Sequence, residues 1–169
     1  MNGRPDRKTS VPGVALRPAS GADHGFLRRV YASTREEEMA LTAWRRDEIE
    51  SFLDMQFEAQ QSYYRKHFKD AEFLIIERDA KPIGRLYLDR REEEIRIIDI
   101  ALLASERRNG VGGALLREVL AEAASAAKRV RIHVERNNPA LGLYRRLGFK
   151  EIEAQGIYFL MEYRPETFL

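Results

Sequence analysis

The chain has 169 residues, 44% of them apolar and 33% charged, with a formal net charge of +2. That length suits a single domain able to bury a core unaided, the composition excludes wholesale disorder, and the near-neutral charge argues against a nucleic-acid partner. The chain contains no cysteine, which excludes disulfides, thiolate metal sites and a cysteine nucleophile. His24, His67 and His133 stand too far apart in sequence to form a metal-ligand motif, so no metal is expected. No apolar run approaches the roughly 20 residues needed to span a bilayer, and no apolar segment follows the basic start as in a signal peptide. A cytoplasmic protein with no membrane partner is therefore expected.

Residues 1–13, "MNGRPDRKTSVPG", are dominated by Pro, Gly and charge and are expected to form a disordered leader, leaving 14–169 as one domain. "VALRP" (14–18) reads as a strand closed by Pro18. Residues 19–41 read as a helix with Phe26, Leu27, Val30, Tyr31 and Thr34 along one face. A longer helix comes next over 47–68, its buried stripe supplied by Ile49, Phe52, Leu53, Phe57, Tyr64 and Phe68. Strands at 71–79 and 82–90 flank a tight turn at Asp79 to Pro82 and should pair as a hairpin. "EIRIIDIALLA" (94–104) is the most apolar strand, which places it centrally in the sheet. A glycine-rich loop then opens a helix running to about Lys128, followed by the strand "RVRIHVE" (129–135). Asn138 as cap and Pro139 at the first helical position start a further helix that stops at Gly148. Two strands, 149–155 and 157–163, close the chain around Gly156. The order predicts an α/β architecture, a mixed α+β sheet of about seven strands with helices on its faces, and excludes a wholly parallel sheet.

The loop "ERRNGVGG" (106–113) carries the chemistry. One reading of Gly110, Gly112 and Gly113 is close helix-to-strand packing. The other rests on context: the loop joins an apolar central strand to an amphipathic helix, so unpaired first-turn amides and the helix dipole form an anion site. Glycines let a ligand reach the backbone there, and Arg107 and Arg108 beside it suit a pyrophosphate. A phosphate-transferring Walker loop is excluded, because Gly113 is followed by Ala114, Leu115 and Leu116 rather than Lys and Ser or Thr. A dinucleotide fingerprint fails as well, since Leu115 stands where its third glycine belongs.

"RRNGVGG" (107–113) resembles the R/Q-x-x-G-x-G/A loop of the GCN5-related N-acetyltransferase (GNAT) superfamily, and it lies between the expected fourth strand and third main helix, as in that family. "NNPALGLYRRLGF" (137–149) independently resembles the family's N-x-x-A-x-x-x-Y-x-x-x-G-F segment through Asn137, Ala140, Tyr144, Gly148 and Phe149. The element order agrees over nearly the whole chain after residue 13. The resemblance implies a mostly antiparallel sheet whose fourth and fifth strands are parallel and splay apart, and an N-acetyltransferase that uses acetyl-CoA.

By that resemblance the loop from Arg107 to Ala114 holds the pyrophosphate, with the amides of Arg108, Asn109, Gly110, Val111, Gly112 and Gly113 as donors and the guanidinium of Arg107 or Arg108 adding charge. The backbone of Ala101, Leu102 and Leu103 would bind the pantetheine arm, with the Leu102 amide as oxyanion donor. Ala104 stands where relatives often carry proline. Tyr144 is expected to protonate the leaving thiolate, or else to be a core aromatic beside Ala140 and Leu147. Asn137 is either a hydrogen-bonding partner of CoA or a turn former. Asp99, the only acid inside the apolar strand, is either the general base or the partner of an arginine. Glu94 is a weaker candidate base, read as solvated, and His133 is read as structural.

The acceptor side is expected over the first two helices and the final hairpin, with Tyr31, Arg35 and Glu38 facing the cleft. A mixed Arg and Glu lining suits a zwitterionic or carboxylated amine. A small amine or amino acid is favoured over a protein, a peptide amine stays open, and family habit implies a homodimer. Without cysteine, transfer must be direct, within a ternary complex. The alternative is a non-catalytic acyl-CoA-binding or sensing module that lacks a base, and a third reading takes Arg145, Arg146 and Lys150 as a surface for an acidic partner.

Overall fold

The structure is a computed structural model that describes residues 6–166. In chain order the elements are β1 (Arg7–Lys8), β2 (Val14–Pro18), α1 (His24–Ala40), α2 (Arg46–His67), β3 (Glu72–Arg78), β4 (Lys81–Arg90), β5 (Glu94–Leu102), α3 (Val111–Ser125), β6 (Arg129–Glu135), α4 (Leu141–Arg146), β7 (Lys150–Gln155) and β8 (Tyr158–Tyr163). The strands form one sheet in the order β1-β2-β3-β4-β5-β6-β8-β7. Among the described residues only β5 and β6 run parallel, as required when a helix, α3, makes the crossover between them.

Beyond the expected strands there is β1, inside the segment read as a disordered leader. Arg7 and Lys8 pair antiparallel with Leu16 and Ala15, Thr9 N donates to Val14 O at 3.1 Å, and Val11 packs against the core. Gly13 at φ 76° lets the chain reverse there. An edge strand needs only ladder hydrogen bonds, which a charged segment can supply. Residues 1–5 of that leader, and 167–169 at the other end, lie outside the described residues.

Two cores sandwich the sheet. α1 and α2 cover one face, where Phe26, Leu27, Val30, Tyr31, Leu53 and Phe57 meet Ile75 and Tyr87. On the other face Val111, Leu115, Leu116, Val119 and Leu120 of α3, with Leu141 and Tyr144 of α4, meet Leu86, Ile95, Ile97 and Ile132. The hairpin turn between β3 and β4 holds Asp79 and Ala80 at φ 49° and 66°, the pair of left-handed residues that a tight two-residue hairpin requires.

α4 is shorter than expected. Asn138 does act as a cap, its Oδ1 accepting from Ala140 N at 2.8 Å, but Leu141 N bonds back to Asn138 O at 3.1 Å. That three-residue spacing makes the first turn tighter than an α-helix, so the regular helix begins only at Leu141. Its end is as expected: Gly148 has φ 102°, and Phe149 N reaches Tyr144 O at 3.0 Å while Gly148 N reaches Arg145 O at 3.1 Å, the double bond of a Schellman cap.

The parting of β5 from β6 creates the gap around which the site is built. Parallel pairing runs from Glu94↔Arg129 to Ile97↔Ile132 and stops. β5 continues to Leu102 beside β4, whereas β6 continues to Glu135 beside β8. At the point of separation the β4–β5 register shifts opposite Tyr87 and Leu88, a bulge that bends β5 away from its neighbour.

Candidate active site

Beyond Ile97 one edge of β5 has no strand to pair with. Leu103 N donates to Ile83 O at 2.9 Å, and Gly84 lies opposite Leu102. Because antiparallel partners alternate between bonded and non-bonded pairs, Leu102 and Ile100 turn their N–H and C=O groups away from β4, into the gap. Of the three residues expected to offer backbone there, Leu102 therefore faces the gap, while Ala101 and Leu103 are turned toward β4. Ile100, which the motif did not single out, faces the gap with Leu102.

Past β5 the chain makes a 3-10 turn at Ala104–Glu106 and enters α3 through Arg108 at φ 65° and Gly110 at φ 80°. The first intrahelical bond of α3 runs from Ala114 N to Gly110 O at 3.0 Å, which leaves the amides of Val111, Gly112 and Gly113 as the first-turn donors. A Cβ on Gly110 would meet nothing within 4 Å, and one on Gly112 would meet only Leu102 Cδ1 at 3.8 Å. These two positions therefore keep the helix N-terminus open to an anion. Gly113 differs: it is buried, and a Cβ there would meet Arg117 and Leu143 at 3.4 and 3.7 Å, so it serves packing.

Arg108 and Asn109 are exposed beside this entry. Arg107 turns the other way. Its Nε donates to Leu102 O at 3.0 Å and its Nη2 to Ser33 Oγ at 3.3 Å, tying the end of β5 to α1.

Tyr144 is 4% exposed and packs edge-on against Phe149, with ring centroids 5.6 Å apart. Burial, and next the charge of Asp99, push its hydroxyl well above the ordinary tyrosine range. Asp99 lies opposite Tyr87 in the β4–β5 ladder, on the face covered by α1 and α2, whereas Tyr144 belongs to the core on the other face. Asp99 is paired with the Arg85 guanidinium, so of its two sequence readings the arginine partnership is realised. Arg85 is 2% exposed, donates from Nη2 to Gln60 Oε1 at 2.9 Å and stands 5.2 Å from the Tyr87 ring centroid. Glu94, read from sequence as solvated, is instead buried and held by Arg96 Nε at 3.2 Å, because parallel pairing with β6 covers it. His133 is exposed and bridges Arg96 and Gln155 at 3.2 and 3.0 Å.

Between α1, α2 and the β7–β8 turn lies a cleft of ≈ 600 Å³. Tyr31, Arg35 and Glu38 all line it, joined by Phe52, Glu135 and Tyr158. Asn137 lines the same cleft. Arg35 Nη1 bonds both Glu38 Oε1 and Glu135 Oε1 at 3.1 Å. Glu135 and Arg85 are the residues sequence reasoning missed. The alternation of "RVRIHVE" sets Glu135 on the face opposite Val130, Ile132 and Val134, a signal that only gains meaning once β6 is seen to leave β5.

Residues 37–149 match the acetyltransferase (GNAT) family. That span is well over half of the chain, and the chain belongs to this family. It is an acetyl-CoA-dependent N-acetyltransferase, as the glycine loop and the segment around Tyr144 imply. An N-alpha-acetyltransferase of Sulfurisphaera tokodaii is 26% identical over 114 residues, covering 57% of this chain and 68% of that protein. Among solved structures, the PaiA N-acetyltransferase of Thermoplasma acidophilum in complex with coenzyme A matches with a TM-score of 0.68 at 21% identity, over 89% of this chain and 98% of that one. Arabidopsis thaliana Naa50 in complex with the bisubstrate analogue CoA-Ac-MVNAL matches with a TM-score of 0.59 at 16% identity, again over 89% and 98%. These structures share the fold. Among the described residues no helix is long and apolar enough to cross a membrane, and no cluster of three His, Cys, Asp or Glu could hold a metal ion.

Proposed function

We propose that the protein acetylates a primary amine by direct attack on the thioester of acetyl-CoA within a ternary complex. The observation that carries this reading is the unpaired edge of β5, with Leu102 and Ile100 facing a gap that leads to the open N-terminus of α3. The pyrophosphate would meet the amides from Arg108 to Gly113, with Arg108 beside them, and the pantetheine arm would add to β5 as a short strand. The Leu102 amide would donate to the thioester oxygen as charge develops on it.

The amine would enter from the cleft lined by Tyr31, Arg35 and Glu38, on the face opposite α3. The ammonium first gives up one proton through water to solvent, the lone pair of the neutral nitrogen then forms the bond to the acetyl carbon, the C–S bond breaks, and the leaving sulfur takes the proton of Tyr144. Tyr144 holds its proton at neutral pH, as the acid role requires, and the burial that raises its hydroxyl above the ordinary range makes it a weaker donor than a free tyrosine. The further proton lost by the amine passes to a carboxylate, directly or through water; Asp99 is the acid that β5 offers, and its pairing with Arg85 makes it a weaker acceptor than a free carboxylate. A small amine and a peptide N-terminus both suit the open cleft, and the N-alpha activity named for the Sulfurisphaera relative supports the latter. The acyl-CoA sensor is not favoured, since Tyr144 and Asp99 together supply an acid and a carboxylate.

Calorimetric titration with acetyl-CoA tests the reading. Micromolar binding by the native protein, lost in Gly110→Glu, is the expected result. An unimpaired Gly110→Glu variant would mean that the loop is not the pyrophosphate site.

A further inference from the structure

Granted acetyl transfer at the parted strands, on which the inference rests, the cleft specifies more than an amine. Two carboxylates, Glu38 and Glu135, face it, and a single guanidinium serves both: Arg35 Nη1 is 3.1 Å from an oxygen of each. Arg136 also reaches the cleft wall, but its guanidinium lies 5.0 Å from the Phe159 ring centroid, and Phe159 packs with the α3 and α4 core on the far side of the sheet. The two cations of the lining are thus both engaged, Arg35 with the two carboxylates and Arg136 with the Phe159 ring.

Apart from Gln56, Asn137 and Gly156, the rest of the lining is aromatic or apolar. Tyr31, Met39, Phe52, Ile157 and Tyr158 contribute, and Trp44 stands edge-on to Phe52 with centroids 5.1 Å apart. Two exposed apolar side chains stand at the cleft: Trp44, against Phe52, and Ile157, in the lining itself, are 44% and 65% exposed. Scattered singly such residues need no explanation, but gathered at the mouth of one cleft they mark a binding surface.

We infer that the acceptor is a primary ammonium borne on an apolar body with no carboxylate beside the amine. Glu135 receives the ammonium and is the specificity-determining residue. A free amino acid would bring its carboxylate beside Glu38 and Glu135 with no spare cation to pair it, which opposes binding. This narrows the acceptor away from the zwitterionic amine that an unpaired mixture of Arg and Glu would suit. A peptide N-terminus led by a large apolar residue and a small apolar amine share the required chemistry.

The test is steady-state turnover at saturating acetyl-CoA with phenethylamine, phenylalaninamide, a tripeptide amide beginning with phenylalanine, free phenylalanine and spermidine. Phenylalaninamide should exceed phenylalanine in kcat/KM by about tenfold or more, the scale of one charge-assisted hydrogen bond. In Glu135→Gln that ratio should shrink, with the thermal melt and acetyl-CoA affinity unchanged. Glu38→Gln should act in the same direction, which covers a Glu135 variant that fails to fold. Preference for the tripeptide over phenethylamine would assign the peptide source, and the reverse the small amine. Equal use of phenylalanine and its amide, an unchanged ratio in folded Glu135→Gln, or activity on spermidine alone would overturn the inference. Failure of the native protein to bind acetyl-CoA would instead overturn the proposed transfer.

Discussion

Gly84 stands directly opposite Leu102 in the β4–β5 ladder, and a Cβ on it would fall 2.4 Å from the Ala101 carbonyl oxygen and 2.7 Å from Leu102 Cδ2. Non-bonded antiparallel pairs bring their Cα atoms closest, and here the Leu102 side chain closes over the bare glycine and extends toward Gly112. Gly84 thus sets where the unpaired edge of β5 lies. Gly84→Ala is expected to push β5 outward, cost about 1–3 kcal/mol as overpacking does, and weaken acetyl-CoA binding. A thermal melt and a calorimetric titration check both; undiminished affinity would show that β5 does not position the cofactor.

Arg107 ties two halves of the site together. It joins the Leu102 carbonyl to Ser33, and Ser33 lies on α1 between Tyr31 and Arg35, which line the cleft. Arg107→Ala should raise KM for acetyl-CoA by about tenfold or more, the scale of one hydrogen bond from a charged group. Arg107→Lys keeps the charge but loses the planar fork, so it should not restore the native value. Full recovery in Arg107→Lys would assign Arg107 to general phosphate attraction instead.

Arg85 and Asp99 form an ion pair with the guanidinium almost wholly enclosed. Removing one partner of such a pair leaves the other charge uncompensated and typically costs about 3–5 kcal/mol. Asp99→Asn should therefore destabilise markedly in urea unfolding, whereas Arg85→Met combined with Asp99→Leu should recover most of the loss. If Asp99 also accepts the amine's proton, the doubly substituted protein stays inactive although it is folded. Recovered turnover in that protein would remove Asp99 from the reaction.

Tyr144→Phe should lower kcat by about 10²–10⁴-fold, the range of a positioned acid, while acetyl-CoA affinity holds. The direction of the tyrosine's shift also sets a stability test. An unfolded tyrosine ionises near pH 10.0 while native Tyr144 holds its proton to higher pH, so folding retains a proton that the unfolded chain releases. Stability must fall as pH rises above about 10. The urea midpoint measured at pH 9 and pH 11 should drop less for Tyr144→Phe than for the native protein. An equal drop would mean that the shift is not borne by Tyr144.

Much of this fold is written in local pattern. The apolar period of 3.6 along α1 and α2, the unbroken apolar run of β5 and the turn residues at 79–82, 148 and 156 each act over a few residues, so they can be read without knowing the fold. β1 was not legible, because edge pairing depends on the chain reversing at Gly13 and not on any apolar pattern. The start of α4 was misplaced because a tight first turn and an α-helical one share the same Asn-Pro signal.

The site divides in the same way. Gly110 and Gly112 at the helix entry and Tyr144 on α4 could be picked out because their positions depend on sequence-local features, a glycine-rich loop and a recurring segment. The sequence by itself thus determined the elements, their order and the glycine-rich entry to α3. Only tertiary structure decided that Ile100 joins Leu102 on the free edge, that Arg85 occupies Asp99, and that Glu135 shares Arg35 with Glu38. The free edge follows from where β5 parts from β6, and Arg85 with Asp99 and Arg35 with Glu135 join segments distant in the chain: register, strand divergence and ion pairing between distant residues leave no local imprint.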